Sequence, residues 1–295
     1  MQAATKQHDV YARVTDRIIA DLEQGTRPWL KPWSSAHVAD RVALPLRHNG
    51  TPYRGVNVLL LWGAAADKGY ASARWMTFGQ AQKLGAHVRK GEQGTLVVYA
   101  DTVTRTAAVE NGEEIERQVS FMKGYTVFNA DQIDGLAQGD QGTPPGANDK
   151  PALIEAAETF FAATGATFRH GGDRAYYSRG LDVIHLPPPA AFIDAESYAA
   201  TKAHELTHWT AHPSRLNRML GKRFGDEAYA AEELVAELGA AFLCVALGIT
   251  PEPRADHASY LAHWLKVLKA DKRAIFTAAG HAQRATDFLH QLQIA

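Results

Sequence analysis

His204-Glu205-Leu206-Thr207-His208 decides how this chain is interpreted, because it is an H-E-x-x-H motif inside a helix-forming segment. Two histidines at positions i and i+4 lie on one face of a helix, about one turn apart. That spacing lets both imidazoles bind one metal ion, and the Glu205 carboxylate can then act as general base toward water. Flanking alanines and Leu206 favour the helix, and Pro213 ends the pattern.

A third metal ligand is expected in the next helical pattern, which runs from Tyr229 through residue 243. Glu233 and Glu237 share one face there, beside an apolar stripe where a carboxylate is costly unless paired or bound to metal. We therefore predict that His204, His208 and Glu233 hold the ion, with Glu237 hydrogen-bonded to a ligand histidine. Glu232 is the weaker alternative as third ligand, because it points about 100° away from Glu233.

Two further residues are candidates for contact with a substrate or an oxyanion. His212 continues the histidine stripe, but it lies about 12 Å along the helix axis from His204, so one straight helix cannot bring all three histidines onto one ion. A catalytic centre also needs a group that stabilises the oxyanion, and Tyr229 or His212 are the candidates. Two histidines and a glutamate indicate Zn²⁺, although Mn²⁺ or another divalent ion could replace it, since such a set is not strongly selective.

The overall composition is that of a soluble globular protein of 295 residues with a net charge of −1. Because there is no global basic excess, nucleic-acid binding has to come from a local patch. The single Cys244 excludes an internal disulfide and a cysteine-based zinc site, and its apolar surroundings predict burial. The N-terminus shows no signal peptide and no apolar run has membrane-spanning length, so the cytoplasm is the expected location.

The domain organisation is inferred from a segment rich in Gly, Pro and Asp at 138–150. It predicts a linker at 137–150 between a first domain, 1–136, and a second domain, 151–295, with a modest interface. The first domain is predicted to be mixed α and β. The second domain is predicted to combine a small sheet with helices that carry the metal ligands. This is the plan of a zincin-like (gluzincin) metallopeptidase. In such sites an edge strand can pair with an extended peptide, and 182–186 is the candidate for that strand. The expected fold class is α+β with two domains.

Aromatic and basic residues alternate in the first domain. Aromatic rings can stack on unpaired bases while Arg and Lys meet phosphates, so this domain is predicted to bind single-stranded DNA. The alternative is that the rings belong to the core and the basic residues to an ordinary surface. The candidate DNA-binding residues are Arg27, Trp29, Lys31, Trp33, Tyr53, Arg54, Arg74, Trp75, Arg89, Lys90, Lys123 and Tyr125.

These motifs together resemble the ArdC-type antirestriction family carried by conjugative plasmids. Segments 27–33, 49–57 and 90–94 are similar to its single-stranded-DNA-binding module, which also resembles the N-terminal part of plasmid TraC primases. Segments 203–210, 212–218 and 232–237 are similar to its metallopeptidase domain. The resemblance implies a protein that protects incoming plasmid DNA from the recipient's restriction enzymes during conjugation, with single-stranded DNA, and a host restriction enzyme or a peptide, as partners.

The resemblance leaves two alternatives open. One is a non-enzymatic single-stranded-DNA-binding protein with a structural or vestigial metal site, and the other is a metalloprotease that acts on a regulatory protein. A fourth protein ligand would favour the structural site, whereas an open coordination position would favour the enzyme. A metal-dependent nuclease is disfavoured, because H-E-x-x-H with a distant glutamate is typical of proteases and the sequence shows no second metal cluster.

Overall fold

The computed structural model describes residues 2–25, 27, 29, 43–108, 114–137, 150–218, 227–249 and 258–293. Its N-terminal half contains, in chain order, α1 (Gln2–Glu23), β1 (Leu46–Arg47), α2 (Val56–Lys68), β2 (Arg74–Met76), α3 (Phe78–Lys83), β3 (His87–Val88), β4 (Thr95–Ala108), β5 (Glu114–Asn129) and β6 (Ile133–Asp134). Its C-terminal half contains α4 (Lys150–Ala163), β7 (Thr167–His170), β8 (Tyr176–Ser178), β9 (Val183–Leu186), α5 (Ala195–Trp209), α6 (Glu227–Ala246), α7 (Ala258–Ala270) and α8 (Ala274–Gln291). This mixture of helices and small sheets confirms the α+β fold class.

The strands form three small sheets. In the N-terminal half the order is β1-β2-β5-β4, with β1 and β2 parallel and the other pairs antiparallel. The short strands β3 and β6 make a separate antiparallel pair. In the C-terminal half the order is β7-β9-β8, with β7 parallel and β8 antiparallel to β9. None of the helices in the described ranges is long and apolar enough to cross a membrane.

The position of β9 corrects one prediction. The segment 182–186 was expected to be an exposed edge strand, but Val183–Leu186 is the central strand of its sheet. Its backbone groups pair with β7 on one side and with β8 on the other, so they cannot also pair with a peptide. Within the described part of this sheet the outer strands are β7 and β8.

The hydrophobic core crosses between the two halves. One cluster joins α1, α2 and β4 to α6, α7 and α8, and within it Trp62 lies against Phe242 with ring centroids 6.0 Å apart. A second cluster packs the other side of α6, including Leu243 and Cys244, against α4, β9 and α5.

Every α6 residue from 233 to 245 is buried, because a helix that is apolar all round must be covered on every side. The expectation of a modest interface is therefore wrong. The predicted linker lies almost wholly outside the described residues, and the proposed domain boundaries stay a prediction.

Candidate metal centre

Helix α5 holds the H-E-x-x-H motif, and it is fixed at both ends. Asp194 caps its N-terminus by accepting a hydrogen bond from the backbone N–H of Ser197 at 2.6 Å. Near its C-terminus, Thr207 packs against Gly239 of α6, where an added Cβ would lie 2.5 Å from Thr207 Cγ2. Only glycine permits this approach, so α5 and α6 come close enough to share one site.

Three side chains from these helices converge on one point. His204 Nε2 lies 3.6 Å from Glu233 Oε2, and His208 Nε2 lies 3.5 Å from Glu233 Oε1. One potential ligand atom from each of the three residues lies within 4.8 Å of the other two. A tetrahedral ion with bonds of ~2.0–2.2 Å separates its ligand atoms by about 3.3–3.6 Å. The spacing and the chemistry of these donors therefore fit a divalent ion.

The outer nitrogen of His208 has a carboxylate partner of its own. His208 Nδ1 lies 3.2 Å from Glu232 Oε1. Arg218 donates to both oxygens of Glu232, at 2.8 and 2.7 Å, and also to the backbone oxygen of Thr207 at 2.9 Å. Glu232 therefore orients His208 instead of facing the point where the ligand atoms meet, which is the arrangement expected of a supporting carboxylate.

The outer nitrogen of His204 faces a second carboxylate. His204 Nδ1 lies 3.9 Å from Glu237 Oε2, which is too long for the hydrogen bond that was predicted, and Glu237 is only 4% exposed. The other oxygen of Glu237 accepts a hydrogen bond from the indole N–H of Trp29 at 3.3 Å and lies 3.5 Å from Arg27. Each histidine thus has one carboxylate behind it, and the two carboxylates are held by different parts of the chain.

The electrostatics of the cluster keep its carboxylates ionised. Burial opposes the charged form of His208, but its hydrogen bonds and ion pairs with Glu232 and Glu233 outweigh burial and raise the pKa of His208 to about 10. Burial alone would raise the pKa of Glu233, yet the hydrogen bonds and charges of both histidines hold it well below its usual range. The pKa of Glu232 is lowered in the same way by Arg218 and His208, against burial. A site that keeps its carboxylates ionised is suited to a cation.

The other residues predicted for the centre, Glu205, Tyr229 and His212, differ in burial and in their position relative to the helices. Glu205 is buried on α5, between the two histidines in sequence, and is 6% exposed. Tyr229 is half-buried at the start of α6, one turn before Glu233 and on the same face. His212 lies beyond the end of α5, where its Nδ1 contacts Ser214 Oγ at 2.7 Å. Among the described residues, the potential metal ligands that converge are His204, His208 and Glu233, and His212 is not one of them.

The predicted DNA-binding residues that the structure describes divide into three groups by burial. Trp29, Tyr53 and Trp75 are buried, at 0%, 9% and 1% exposure, so the prediction that these rings stack on bases is wrong. Their apolar surfaces pack in the core, where a base cannot reach them. The half-buried residues are Arg27, which lies beside Glu237, and Arg74. The exposed residues are Arg54, Arg89, Lys90, Lys123 and Tyr125, whereas Lys31 and Trp33 lie outside the described residues.

The sequence analysis did not predict two features, one in the metal centre and one on the surface. The pairing of Arg218 with Glu232 was not predicted, although two adjacent glutamates in an otherwise apolar helix were a signal that both have partners. Tyr99 was also missed. It is 45% exposed and packs edge-on against Tyr125, which is 43% exposed, with ring centroids 6.2 Å apart.

Comparisons with known proteins cover nearly the whole chain. Residues 8–128 match the N-terminal domain of anti-restriction factor ArdC, and residues 155–281 match the zincin-like metallopeptidase family. An uncharacterized protein of Sinorhizobium fredii, y4eC, is 43% identical over 97% of this chain and 92% of its own length. A DNA primase TraC of Escherichia coli is 40% identical over 95% of this chain. The matched region is only 27% of the length of that primase.

Solved structures agree with these matches. The metal-free crystal structure of antirestriction ArdC protein from the R388 plasmid has a TM-score of 0.81 and 48% identity, over 97% of this chain and 98% of that chain. The Mn(II)-bound structure of the R388 protein has a TM-score of 0.78 and 48% identity, over 96% and 97%. Because fold and sequence agree over nearly the full length of both chains, this chain belongs to the ArdC antirestriction family.

Proposed function

We propose that this protein is an antirestriction factor that binds single-stranded DNA through its N-terminal half and carries a metal-dependent peptidase centre in its C-terminal half. It protects incoming plasmid DNA from restriction enzymes of the recipient during conjugation. The observation that carries the proposal is the convergence of His204, His208 and Glu233 in a chain of the antirestriction family. The similarity to a protein named as a DNA primase supports a DNA-binding role for the N-terminal half.

The proposed ligands of the ion are His204, His208 and Glu233, and the ion is Zn²⁺ or another divalent ion such as Mn²⁺. The R388 relative, which was crystallised with Mn(II), supports a divalent ion. Such an ion supplies Lewis acidity, which polarises a peptide carbonyl and makes water more acidic. The donor set found among the described residues has three members, the number that catalytic zinc sites use while they leave a position for water or substrate, so an ion held here would be open to substrate.

The chain's own residues have distinct tasks in this proposal. Glu205 accepts a proton from the attacking water and returns it to the leaving amine. Glu232 holds the outer nitrogen of His208 by a hydrogen bond, and the charge of Glu237 lies 3.9 Å from the outer nitrogen of His204, so that the inner nitrogens stay directed at the ion. Tyr229 and His212 are the candidates for contact with the carbonyl oxygen or the substrate.

The proposed DNA-binding surface is the exposed face of the β4–β5 hairpin, defined here by Tyr99, Lys123 and Tyr125 and called the hairpin face. Tyr99 lies directly opposite Lys123, and Tyr125 lies two positions along β5, so alternation places all three side chains on one face. Gly124 faces the other way, toward Val10 of α1. Two exposed rings beside a lysine can stack on bases and meet a phosphate. Arg54, Arg89 and Lys90 are further candidates, because they are exposed.

The deciding experiment is plasmid transfer into a restricting recipient, with the protein supplied as wild type, as Glu205→Gln, or as the double variant Tyr99→Ala/Tyr125→Ala. We expect Glu205→Gln to protect and the tyrosine variant to fail, because a nuclease blocked at its DNA substrate need not be cleaved. Loss of protection in Glu205→Gln alone would show that proteolysis of a partner, such as the host restriction enzyme, is required. Full protection by both variants would contradict the proposed roles of both sites. The full chain is used throughout, since the two halves share a core.

A further inference from the structure

A segment of the N-terminal half reaches the candidate metal centre. Trp29 is fully buried, and its indole N–H donates to Glu237 Oε1 at 3.3 Å. Arg27 approaches the same oxygen, with 3.5 Å between its guanidinium nitrogen and Oε1. Both residues follow α1 in the sequence, whereas Glu237 belongs to α6. Two side chains that were expected to contact DNA therefore lie against a buried carboxylate.

That carboxylate lies directly behind a proposed metal ligand. Glu237 Oε2 is 3.9 Å from His204 Nδ1, while His204 Nε2 faces Glu233. Because Glu237 is almost completely buried, water cannot readily replace a donor that it loses. We therefore expect a change at Trp29 or Arg27 to alter the position of Glu237, whose charge lies beside the His204 ring.

The two histidines differ in where their support comes from. His208 is backed by Glu232, and Glu232 is held by Arg218, which follows α5 in the same half of the chain. His204 is backed by Glu237, and Glu237 is held from the N-terminal half. Trp29 is itself fixed in direction, because its ring packs edge-on against Trp264 of α7 with centroids 5.9 Å apart. Among the contacts of the described residues, the N-terminal half thus supports His204 through Glu237.

We propose that Arg27 and Trp29 are positioning residues of the metal centre, which hold Glu237 and through it His204, so that metal affinity in the C-terminal half depends on the N-terminal half. This inference rests on the proposed metal site. It assigns to Arg27 and Trp29 a role that is separate from DNA binding. Partners of metal ligands typically change metal affinity by about 10–100-fold when removed, and a group acting through such a partner is expected near the lower end of that range.

The test is a calorimetric titration of the metal-free full-length protein with Mn²⁺ and with Zn²⁺. Trp29→Phe keeps an aromatic ring against Trp264 but removes the N–H, and we expect it to weaken metal binding by about 10-fold. Trp62→Phe is the matched control. Trp62 lies in the same core, and its N–H also donates a hydrogen bond, but to the backbone oxygen of Ala43 at 3.0 Å rather than to a carboxylate of the metal centre. We expect this control to bind metal within about twofold of wild type, a difference below ~0.5 kcal/mol.

A double-mutant cycle separates positioning from general loss of structure. If Trp29 acts through Glu237, Trp29→Phe has no further effect on metal affinity once Glu237→Ala has removed the acceptor. Arg27→Gln, at a side chain that is 17% exposed, is the milder variant that decides the question if Trp29→Phe does not fold. Equal affinities for Trp29→Phe and Trp62→Phe, additive losses in the cycle, or an unchanged affinity in Arg27→Gln would overturn the inference. If the wild type binds neither ion, the proposed metal site itself is wrong.

Discussion

Gly239 of α6 lies against Thr207 of α5 so closely that a Cβ at position 239 would be 2.5 Å from Thr207 Cγ2 and 2.8 Å from its Oγ1. Thr207 cannot easily move aside, because it is 1% exposed and its hydroxyl donates to the backbone oxygen of Ala203 at 2.9 Å. This contact sets the separation of the two helices that carry His204, His208 and Glu233. The metal centre therefore depends on a glycine that is not itself part of it.

Gly239→Ala is predicted to push α5 and α6 apart. We expect a loss of about 1–3 kcal/mol in the free energy of unfolding, the usual cost of overpacking a core, together with weaker metal binding. Urea unfolding and metal titration measure the two effects. Adding Thr207→Ala removes both atoms that clash most closely, and should restore much of the stability. If the single variant is as stable as wild type, the close approach of the helices is wrong.

Three of the four glutamates of α6, namely Glu232, Glu233 and Glu237, are predicted to differ in their effect on metal affinity. Glu233→Ala removes a proposed ligand and should nearly abolish binding, as should His204→Ala. Glu232→Ala and Glu237→Ala remove only the groups behind the histidines, and we expect losses of about 10–100-fold. Glu205→Gln should retain the ion, because Glu205 is not a proposed ligand. A metal titration of the set decides these assignments, and a larger loss for Glu237→Ala than for Glu233→Ala would mean that ligand and support are exchanged.

The hairpin face is predicted to bind single-stranded DNA by stacking. Tyr99→Ala and Tyr125→Ala should each weaken binding by roughly 1–3 kcal/mol if that ring stacks on a base. Affinity should fall as salt rises, and single strands should bind more tightly than duplex. Tyr176→Ala is the control, since Tyr176 is 49% exposed but lies on β8 of the other half. Fluorescence anisotropy with a labelled oligonucleotide would contradict stacking if the control lost as much affinity as the hairpin variants.

The ion pair between Asp182 and Arg215 predicts an acid-sensitive contribution to stability. Hydrogen bonds from Arg215, at 2.5 and 3.0 Å, and from Tyr177 lower the pKa of Asp182 from 3.8 to about 2, against burial. A carboxyl whose pKa is lower in the folded state stabilises the fold above its unfolded pKa, and this stabilisation is lost as pH falls from about 4 to about 2.

Asp182→Asn tests this contribution. Asparagine tolerates the left-handed backbone at this position, where φ is 52°, so the substitution removes charge without adding strain. Because Asp182 is 40% exposed, we expect a loss on the order of 1 kcal/mol or less at neutral pH. The difference in stability between the two proteins should shrink as the pH falls below about 4 and should vanish as it approaches about 2. A constant difference between them down to that pH would show that the charge of Asp182 is not responsible.

Local sequence patterns determined most of the elements that carry the candidate site. The helix around His204 and His208 and the acidic helix around Glu233 were predicted because their side chains repeat with the period of a helix. A strand was predicted at 182–186 and is found at Val183–Leu186, since its apolar and β-branched residues end there at proline. The spacing of the two histidines likewise predicted a shared face, because it depends on one helix alone.

Only the tertiary structure decided which neighbours these elements have. Trp29 and Trp75 are residues of a type that often stacks on bases, but the packing of α6 and α7 against the N-terminal half buries them. Likewise, nothing in the sequence near Glu237 shows that Trp29 donates to it and that Arg27 lies beside it, or that Arg218 holds Glu232. Hydrophobic periodicity shows that a face must be covered, but contacts between residues far apart in the chain depend on how whole elements pack. The sequence by itself therefore determined the helices and the donor types, and the packing of the two halves decided which residues support each histidine.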